Sequence, residues 1–562
     1  MSATRPRLLA GAAALAALVA VGLPPDATAR WLAGPDAPRL GSVATGFWIW
    51  KGLLLLHAIA LAAWARSARD GATAAPATPH GPDEPGGRLE AQRAAWIVGG
   101  LVLLGLGLRW IAVDQGLWFD EIKTQVRYVG QTLGTVVTTY DDQNQHLLYS
   151  VLARLASVAL GEGAAALRLP AVLFGVASLW AVYRFGRVAA TRLEGVLAAA
   201  LLTVSYHHVW FSQNARGYTG LLLWTLLASA AFVRLLRNEE RSRWSLAAWY
   251  GLTIALAMYT HLTAAVLPAA HGLIALGALW ARRGGRRPRP APGPLLVGLG
   301  LAGTLSVQLY APVLPQLAAV LLEPSLEGVT IAWKNPLWLV TELAAGLGIG
   351  VPGGAWILLP AGLIALVGLW SHGRRSFAET AVLWLPAVLT AIVIVALGHN
   401  LWPRFFFFAA GFAVLIGIRG VLEAARRVAP RHGTRIAVAL VTLAALGSLT
   451  TVPRAWGLKQ DYDGAEAFVE ARRAPGDAVV MLDMCILPYR EYRGKDWRTV
   501  DSADGLAGVE AAHDRTWVVY TFPTSLEALQ PDVWARVRSG YREAARYPGT
   551  VRGGDIVVMV RE

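Results

Sequence analysis

Apolar runs long enough to cross about 30 Å of hydrocarbon recur along this chain near 7–24, 43–65, 94–113, 168–184, 193–209, 217–235, 244–260, 262–281, 293–312, 354–370, 377–397, 403–420 and 435–452. About thirteen such crossings predict a polytopic helical membrane protein, because a backbone in lipid must satisfy its own hydrogen bonds. The composition agrees: 55% of the residues are apolar, 16% are charged, and the mean hydropathy is +0.45. A net charge of +14 on a soluble face would point to nucleic acid, but here Lys and Arg fall in short clusters between the apolar runs. The single cysteine, Cys485, excludes an intrachain disulfide framework and reads as a small core residue.

The basic clusters fix an orientation. They lie at Arg5 and Arg7 and in segments 64–93, 184–192, 234–243, 282–289, 374–375 and 419–435. With a cytoplasmic N-terminus and the crossings above, all of them fall on the cytoplasmic side. His146–Leu160 is apolar but, at about 15 residues, short for a crossing; as a span it would invert every later loop, so an interfacial helix is predicted. Segment 336–347, interrupted by Glu342, reads the same way. The first run also resembles a secretory signal, with Arg5 and Arg7 before it and Ala27-Thr28-Ala29 after it, but the next run follows so closely that a retained anchor is expected.

The domain organisation follows: a two-span extension over 1–65, a flexible cytoplasmic linker over 66–93, a transmembrane module over 94–455 with an outer loop at 114–167, and a soluble α/β domain over 456–562. In that last domain, 477–483, 515–522 and 555–562 read as strands, and 463–473 and 524–546 as helical. The fold class is therefore mainly α, transmembrane, with a small extracytoplasmic α/β domain. High Ala, Arg and Gly content fits a high-GC bacterium, and so the inner membrane.

Polar residues gather on the predicted outer face. Gly116–Tyr128 places Asp120 and Glu121 directly after an apolar run, where a carboxylate must be paired, hydrated or functional. Lys123, Gln145 and His146 follow in the same loop; later outer turns offer His207, His208, Arg216 and Tyr218, then Tyr259 and His261, then Tyr310, then His399 and Arg404. Together they would line a cavity open to the outer leaflet. Guanidinium forks bind phosphate oxygens, and a carboxylate takes a proton from a hydroxyl nucleophile. No glycine-rich nucleotide-phosphate loop occurs in a strand–helix setting. Glycosyl transfer outside the cytoplasm needs a polyprenyl-phosphate donor, because nucleotide sugars are absent there. Adjacent His207 and His208 make a poor chelating pair and no tetrahedral metal spacing occurs, so no cofactor is expected to be required, although outer carboxylates can hold Mg²⁺ or Mn²⁺ loosely. The bland readings are a helix cap for Asp120 and Glu121, snorkelling anchors for Arg216 and Arg404, and packing for Phe405–Phe408.

Several motifs in order resemble the C-type (GT-C) integral-membrane glycosyltransferases, family 39, which include protein O-mannosyltransferases and the aminoarabinose transferase acting on lipid A. The motifs are Trp118-Phe119-Asp120-Glu121, His146-Leu147-Leu148-Tyr149, Arg168-Leu169-Pro170, Asn214-Ala215-Arg216-Gly217-Tyr218, Tyr259-Thr260-His261 and Pro403-Arg404-Phe405, within 94–452. The resemblance implies an inverting transfer with Asp120 as general base, beside Glu121. It also implies Arg216 and Arg404 near the donor phosphate, and Tyr218 and Lys123, on the same predicted outer face, are expected to join them there. The acceptor side of the cavity would be lined by His146, Gln145, His208, Tyr259, His261, Tyr310 and His399. Relatives often read His-Pro-Pro-Leu-Tyr where this chain has His-Leu-Leu-Tyr, and a Tyr where Phe405 or Phe406 follows the arginine. The implied partners are a polyprenyl-phosphate sugar, membrane lipid and a glycan, lipid or protein acceptor, with no nucleic acid. The competing classes are a lipid or lipid-linked sugar flippase, which should carry an internal repeat, and a non-catalytic envelope assembly protein.

Overall fold

A computed structural model of the protein describes residues 4–70, 85–238, 243–281, 291–322, 331–350 and 354–562. The expected linker over 66–93 is corrected at its ends, where 66–70 and 85–93 continue the flanking helices; its residues 71–84, the basic segment 282–289 and part of 234–243 lie outside the described residues. Every apolar run coincides with helix, from Thr4–Gly22 and Leu40–Asp70 at the N-terminus to Ala410–Val428 and Gly433–Leu449 at the end of the bundle. Among the described residues, eight helices are long and apolar enough to cross a membrane, or nine if Pro6–Gly22 and Pro25–Ala33, bent by 82°, form one span. That is fewer than expected, for local reasons. The run at 193–209 stops at Thr203 and restarts at Tyr206, where the Ser205 side chain caps a new short helix by accepting the His208 N–H. The last run gives a helix of only 17 residues.

Helix Tyr218–Arg237 runs through the centre, buried along most of its length, with Ala164–Ala189 and Arg243–Thr260 packed against it. Ala164–Ala189 also meets Arg192–Thr203 so closely that a Cβ on Gly186 would lie 2.7 Å from the Gly195 Cα. Small residues are what permit such approach between helices in lipid. Two ion pairs tie helices of the bundle together: Arg237, in the last turn of its helix, meets Glu379 in the first turn of another, and Arg419 meets Glu194, each at 2.6 Å. Leu147–Leu160 and Pro336–Gly350 are short apolar helices, as expected.

The C-terminal unit is a four-stranded sheet of β1 (Ala478–Met481), β2 (Thr516–Tyr520), β3 (Arg542–Tyr547) and β4 (Ile556–Arg561), in the order β1-β2-β4-β3. β1 and β2 are parallel, with Val480 opposite Val518, and β4 runs antiparallel to β2 and β3. Helix Ala503–Ala511, capped by Ser502, lies in the crossover and was not expected from the sequence. The helical stretch expected at 524–546 is corrected. Pro531 starts a second short helix after Pro523–Leu529, and residues 542–547 pair with β4 as a strand. Successive strand residues face opposite sides, and the two sides have different fates. Val480, Val518 and Val557 pack on Leu526, Val533 and Val537 of the unit itself. Val479, Met481, Trp517, Val519 and Val558 share a core with Leu117, Ile122, Val129, Tyr149 and Leu167. The sheet is thus seated on the loop that carries Asp120.

Candidate functional site

After helix Pro85–Trp110 the chain is extended at Trp118 and turns into the six-residue helix Phe119–Thr124. Glu121 is fully buried. Its Oε1 accepts from Arg168 Nε at 2.8 Å and Ala215 N at 2.7 Å; its Oε2 accepts from Arg168 Nη2 at 2.5 Å and Trp118 N at 3.3 Å. Arg168 spends its other hydrogens on the carbonyls of Val113, Gln115 and Gly116. Burial opposes ionisation of Glu121, but Arg168 and Lys459 outweigh it and hold the carboxyl below its usual range. Both oxygens are occupied. Glu121, expected beside Asp120 in the chemistry, is thus bound through both oxygens to Arg168, Ala215 and Trp118.

Asp120 has a different environment. Its Oδ2 is buried and accepts no hydrogen bond among the described residues. Arg216 Nη1 lies 3.9 Å from that oxygen and Arg404 Nη1 4.0 Å. Arg216 is itself buried, with Nε and Nη1 lacking hydrogen-bond partners among the described residues and Nη2 3.2 Å from His146 Nε2. His146 Nδ1 accepts the Gly217 N–H at 2.8 Å. Burial, reinforced by Arg216, His261 and Arg404, pushes the His146 pKa well down, so the ring is neutral. The His146 and His261 rings stand 4.5 Å apart, and Tyr218 stands 5.3 Å from each. The Arg216 guanidinium lies 5.7 Å from the Tyr218 ring, whose hydroxyl is buried without a hydrogen-bond partner among the described residues. Gly217 is required in this turn: a Cβ there would meet Thr260 O at 2.8 Å and His146 Nδ1 at 3.0 Å. Asp120, Arg216, Arg404, His146, His261 and Tyr218 thus form one cluster, drawn from four separate turns of the chain.

Other expected residues are placed elsewhere. Lys123, expected at the donor phosphate, is ion-paired within the loop with Asp142, whose carboxyl it holds low although burial opposes this. Gln145 braces the same loop through Ser150 and the Val136 carbonyl. His208 lies inside the bundle between Arg109 Nη2, at 2.7 Å, and Ser178 Oγ, at 2.8 Å. Tyr310 donates to the Met258 carbonyl and stacks edge-on to Tyr259. Tyr259 also lines an apolar cavity of about 310 Å³ beneath the N-terminal helices. His399 is buried, with Nδ1 3.3 Å from the Gln143 amide. Among the described residues no three His, Cys, Asp or Glu side chains converge to hold a metal ion.

Lys459 and Gln460 were not expected from the sequence. Lys459 Nζ donates to Gln213 O at 2.7 Å, and Gln460 Oε1 accepts the Phe119 N–H at 2.9 Å. Both come from the start of the C-terminal unit, more than three hundred residues from the Asp120 loop. A Lys-Gln pair in a soluble segment carries no signal that sequence reading can detect.

Residues 146–310 match the family model described as dolichyl-phosphate-mannose-protein mannosyltransferase. The chain resembles GT-C glycosyltransferases of this family, as its motifs implied. The matched stretch contains His146, Arg168, Arg216, Tyr218 and His261, while Asp120 and Arg404 lie on either side of it. Among solved structures, the Archaeoglobus fulgidus oligosaccharyltransferase aligns at 13% identity and TM-score 0.47, covering 82% of this chain and 72% of that one. ArnT from Cupriavidus metallidurans aligns at 13% identity and TM-score 0.47, covering 84% of this chain and 98% of that one. No curated protein was found to match the sequence.

Proposed function

We propose that this chain is a membrane glycosyltransferase that moves a sugar from a polyprenyl-phosphate donor to an acceptor presented outside the cytoplasm, with Asp120 as general base. The observation that carries this is the buried Asp120 Oδ2, which accepts no hydrogen bond among the described residues and lies within 4.0 Å of two guanidinium groups. An oxygen in that state has a lone pair available for an acceptor proton, and the two cations face the same space. The family matched by residues 146–310 is one of mannosyltransferases whose description names a polyprenyl-phosphate donor.

The chemistry reads as an inverting displacement. The acceptor hydroxyl or amine loses its proton to Asp120 as its heteroatom bonds to the anomeric carbon. The bond from that carbon to the phosphate oxygen breaks with its electron pair, and polyprenyl phosphate leaves. Arg216 and Arg404 meet the charge that develops on the phosphate, acting as preorganised donors. The scheme routes that charge through the arginines and assigns no step to a metal. Neutral His146 and His261, with Tyr218, form the wall beside Arg216 and shape the sugar end of the cavity.

Sidedness follows the basic clusters: Arg237, Arg419 and Arg427 close the end of the bundle away from Asp120, so that end is read as cytoplasmic. The catalytic cluster and the C-terminal unit over 456–562 then face outward from a bacterial inner membrane. The two N-terminal spans over 1–65 are an extension of the module at 94–455. The test is mass spectrometry of envelope glycans, glycolipids and glycoproteins from a deletion strain. One sugar should disappear, and wild type should restore it. Full restoration by Asp120→Asn sinks the reading of the site.

A further inference from the structure

We propose that Gln460 is a positioning residue for Asp120, so that the C-terminal unit is a working part of the catalytic site. This rests on the reading of Asp120 as the base. The helix that carries Asp120 has six residues, too few to hold its own direction, since isolated helices of that length are unstable in water. Its direction is therefore imposed by what grips it. Two grips flank Asp120, one residue to each side. Glu121, the residue after, is locked by Arg168 and the Ala215 N–H of the membrane bundle. Phe119, the residue before, gives its N–H to Gln460 Oε1 at 2.9 Å.

Gln460 is itself held fast. It is 1% exposed, and its Nε2 donates to Thr521 Oγ1 at 2.9 Å and to Gly554 O at 3.0 Å. Those partners sit just after β2 and just before β4. The backbone around Gln460 is pinned from outside as well, by Thr550 N to Leu458 O at 2.9 Å and Val551 N to Lys459 O at 3.2 Å. The Gln460 amide therefore transmits the position of the sheet to the first N–H of the catalytic helix. Lys459 extends the same clamp to the Gln213 carbonyl, three residues before Arg216. The carboxylate and one of its two arginines are thus both referenced to residues 459–460.

A misplacement of about 1 Å in a catalytic group costs up to about a hundredfold in rate, and this sets the expected scale. The test compares Gln460→Met, which keeps the volume and removes every hydrogen bond, with Gln460→Glu, which keeps an acceptor for the Phe119 N–H. The substrates are the polyprenyl-phosphate conjugate of the sugar missing from the deletion strain, and membranes of that strain as acceptor source. Gln460→Met should lower kcat by about ten- to a hundredfold while the donor KM stays within about twofold, and Gln460→Glu should recover part of the loss. Wild-type kcat in a folded Gln460→Met protein, beside an inactive Asp120→Asn, overturns this inference alone. A loss expressed in the donor KM with kcat unchanged, or equal losses in the Met and Glu variants, also overturns it. Full activity of Asp120→Asn overturns the inference together with the reading it rests on.

Discussion

Glu121→Gln separates the two adjacent carboxylates by role. The wild-type carboxylate accepts from Arg168 Nε, Arg168 Nη2, Ala215 N and Trp118 N, with no exposure to water. A glutamine has one acceptor oxygen and places an NH₂ where two of those donors point, so both lose their partner. A buried donor left unsatisfied costs about 1–3 kcal/mol, and a buried arginine that loses its counter-charge costs about 3–5 kcal/mol. The contributions overlap, because Arg168 still reaches the Val113, Gln115 and Gly116 carbonyls; a net loss of about 3–5 kcal/mol is expected. Tryptophan fluorescence during heating in detergent, with limited proteolysis of loop 114–128, reads it. The pH dependence gives a second handle. The folded carboxyl lies below its unfolded value, so its contribution is complete above the ordinary glutamate range and is lost as pH falls through the folded pKa. Glu121→Gln should therefore lower the thermal midpoint at pH 7 and remove part of the acid destabilisation seen in wild type. A variant that melts like wild type at both pH values, yet transfers no sugar, would refute the assignment of Glu121 to the scaffold.

Other outcomes follow from the same geometry. Lys459 is pushed by burial, and further by Arg168, down to about 7. The folded state then binds fewer protons than the unfolded chain between that value and the ordinary lysine pKa, so stability should rise with pH above about 7; Lys459→Met should flatten that rise in thermal midpoints taken at several pH values. Gly217→Ala drives a methyl against Thr260 O and His146 Nδ1 and should cost about 1–3 kcal/mol, read as a lower thermal midpoint together with a lower rate. Arg216→Lys keeps the charge but loses the planar fork, and should reduce kcat/KM by about tenfold or more, in line with a lost charge-assisted hydrogen bond of about 1.5–3 kcal/mol. An Arg216→Lys enzyme at wild-type kcat/KM would leave the phosphate contact without support.

The membrane helices were legible because lipid demands long apolar runs, and the short helix Leu147–Leu160 because its length conflicted with the sidedness of every later basic cluster. Residues 542–547, Arg-Glu-Ala-Ala-Arg-Tyr, were not legible: each residue but the last favours helix, yet pairing with β4 makes them a strand. At the site, isolated polar residues at the ends of apolar runs stand out, which is how Asp120, Arg216, Arg404, His146, His261 and Tyr218 could be named before the structure brought them together. Two adjacent carboxylates look alike in sequence, and only the hydrogen bonds to Glu121 distinguish them. His208 was misplaced for a related reason. A polar residue near a span end can turn inward, and this one meets the buried Arg109 guanidinium. Lys459 and Gln460 lie where polar residues are ordinary, so their reach across the fold to Phe119 and Gln213 has no trace in the local pattern.

The most direct test of the central claim is sugar transfer by purified Asp120→Asn and wild type, each shown to be folded by its melting curve. The substrates are the polyprenyl-phosphate conjugate of the sugar lost in the deletion strain and membranes from that strain. Loss of a general base is expected to cost about 10²–10⁴-fold in kcat. Transfer by Asp120→Asn at the wild-type rate would contradict the account and return Asp120 to the role of a loop residue.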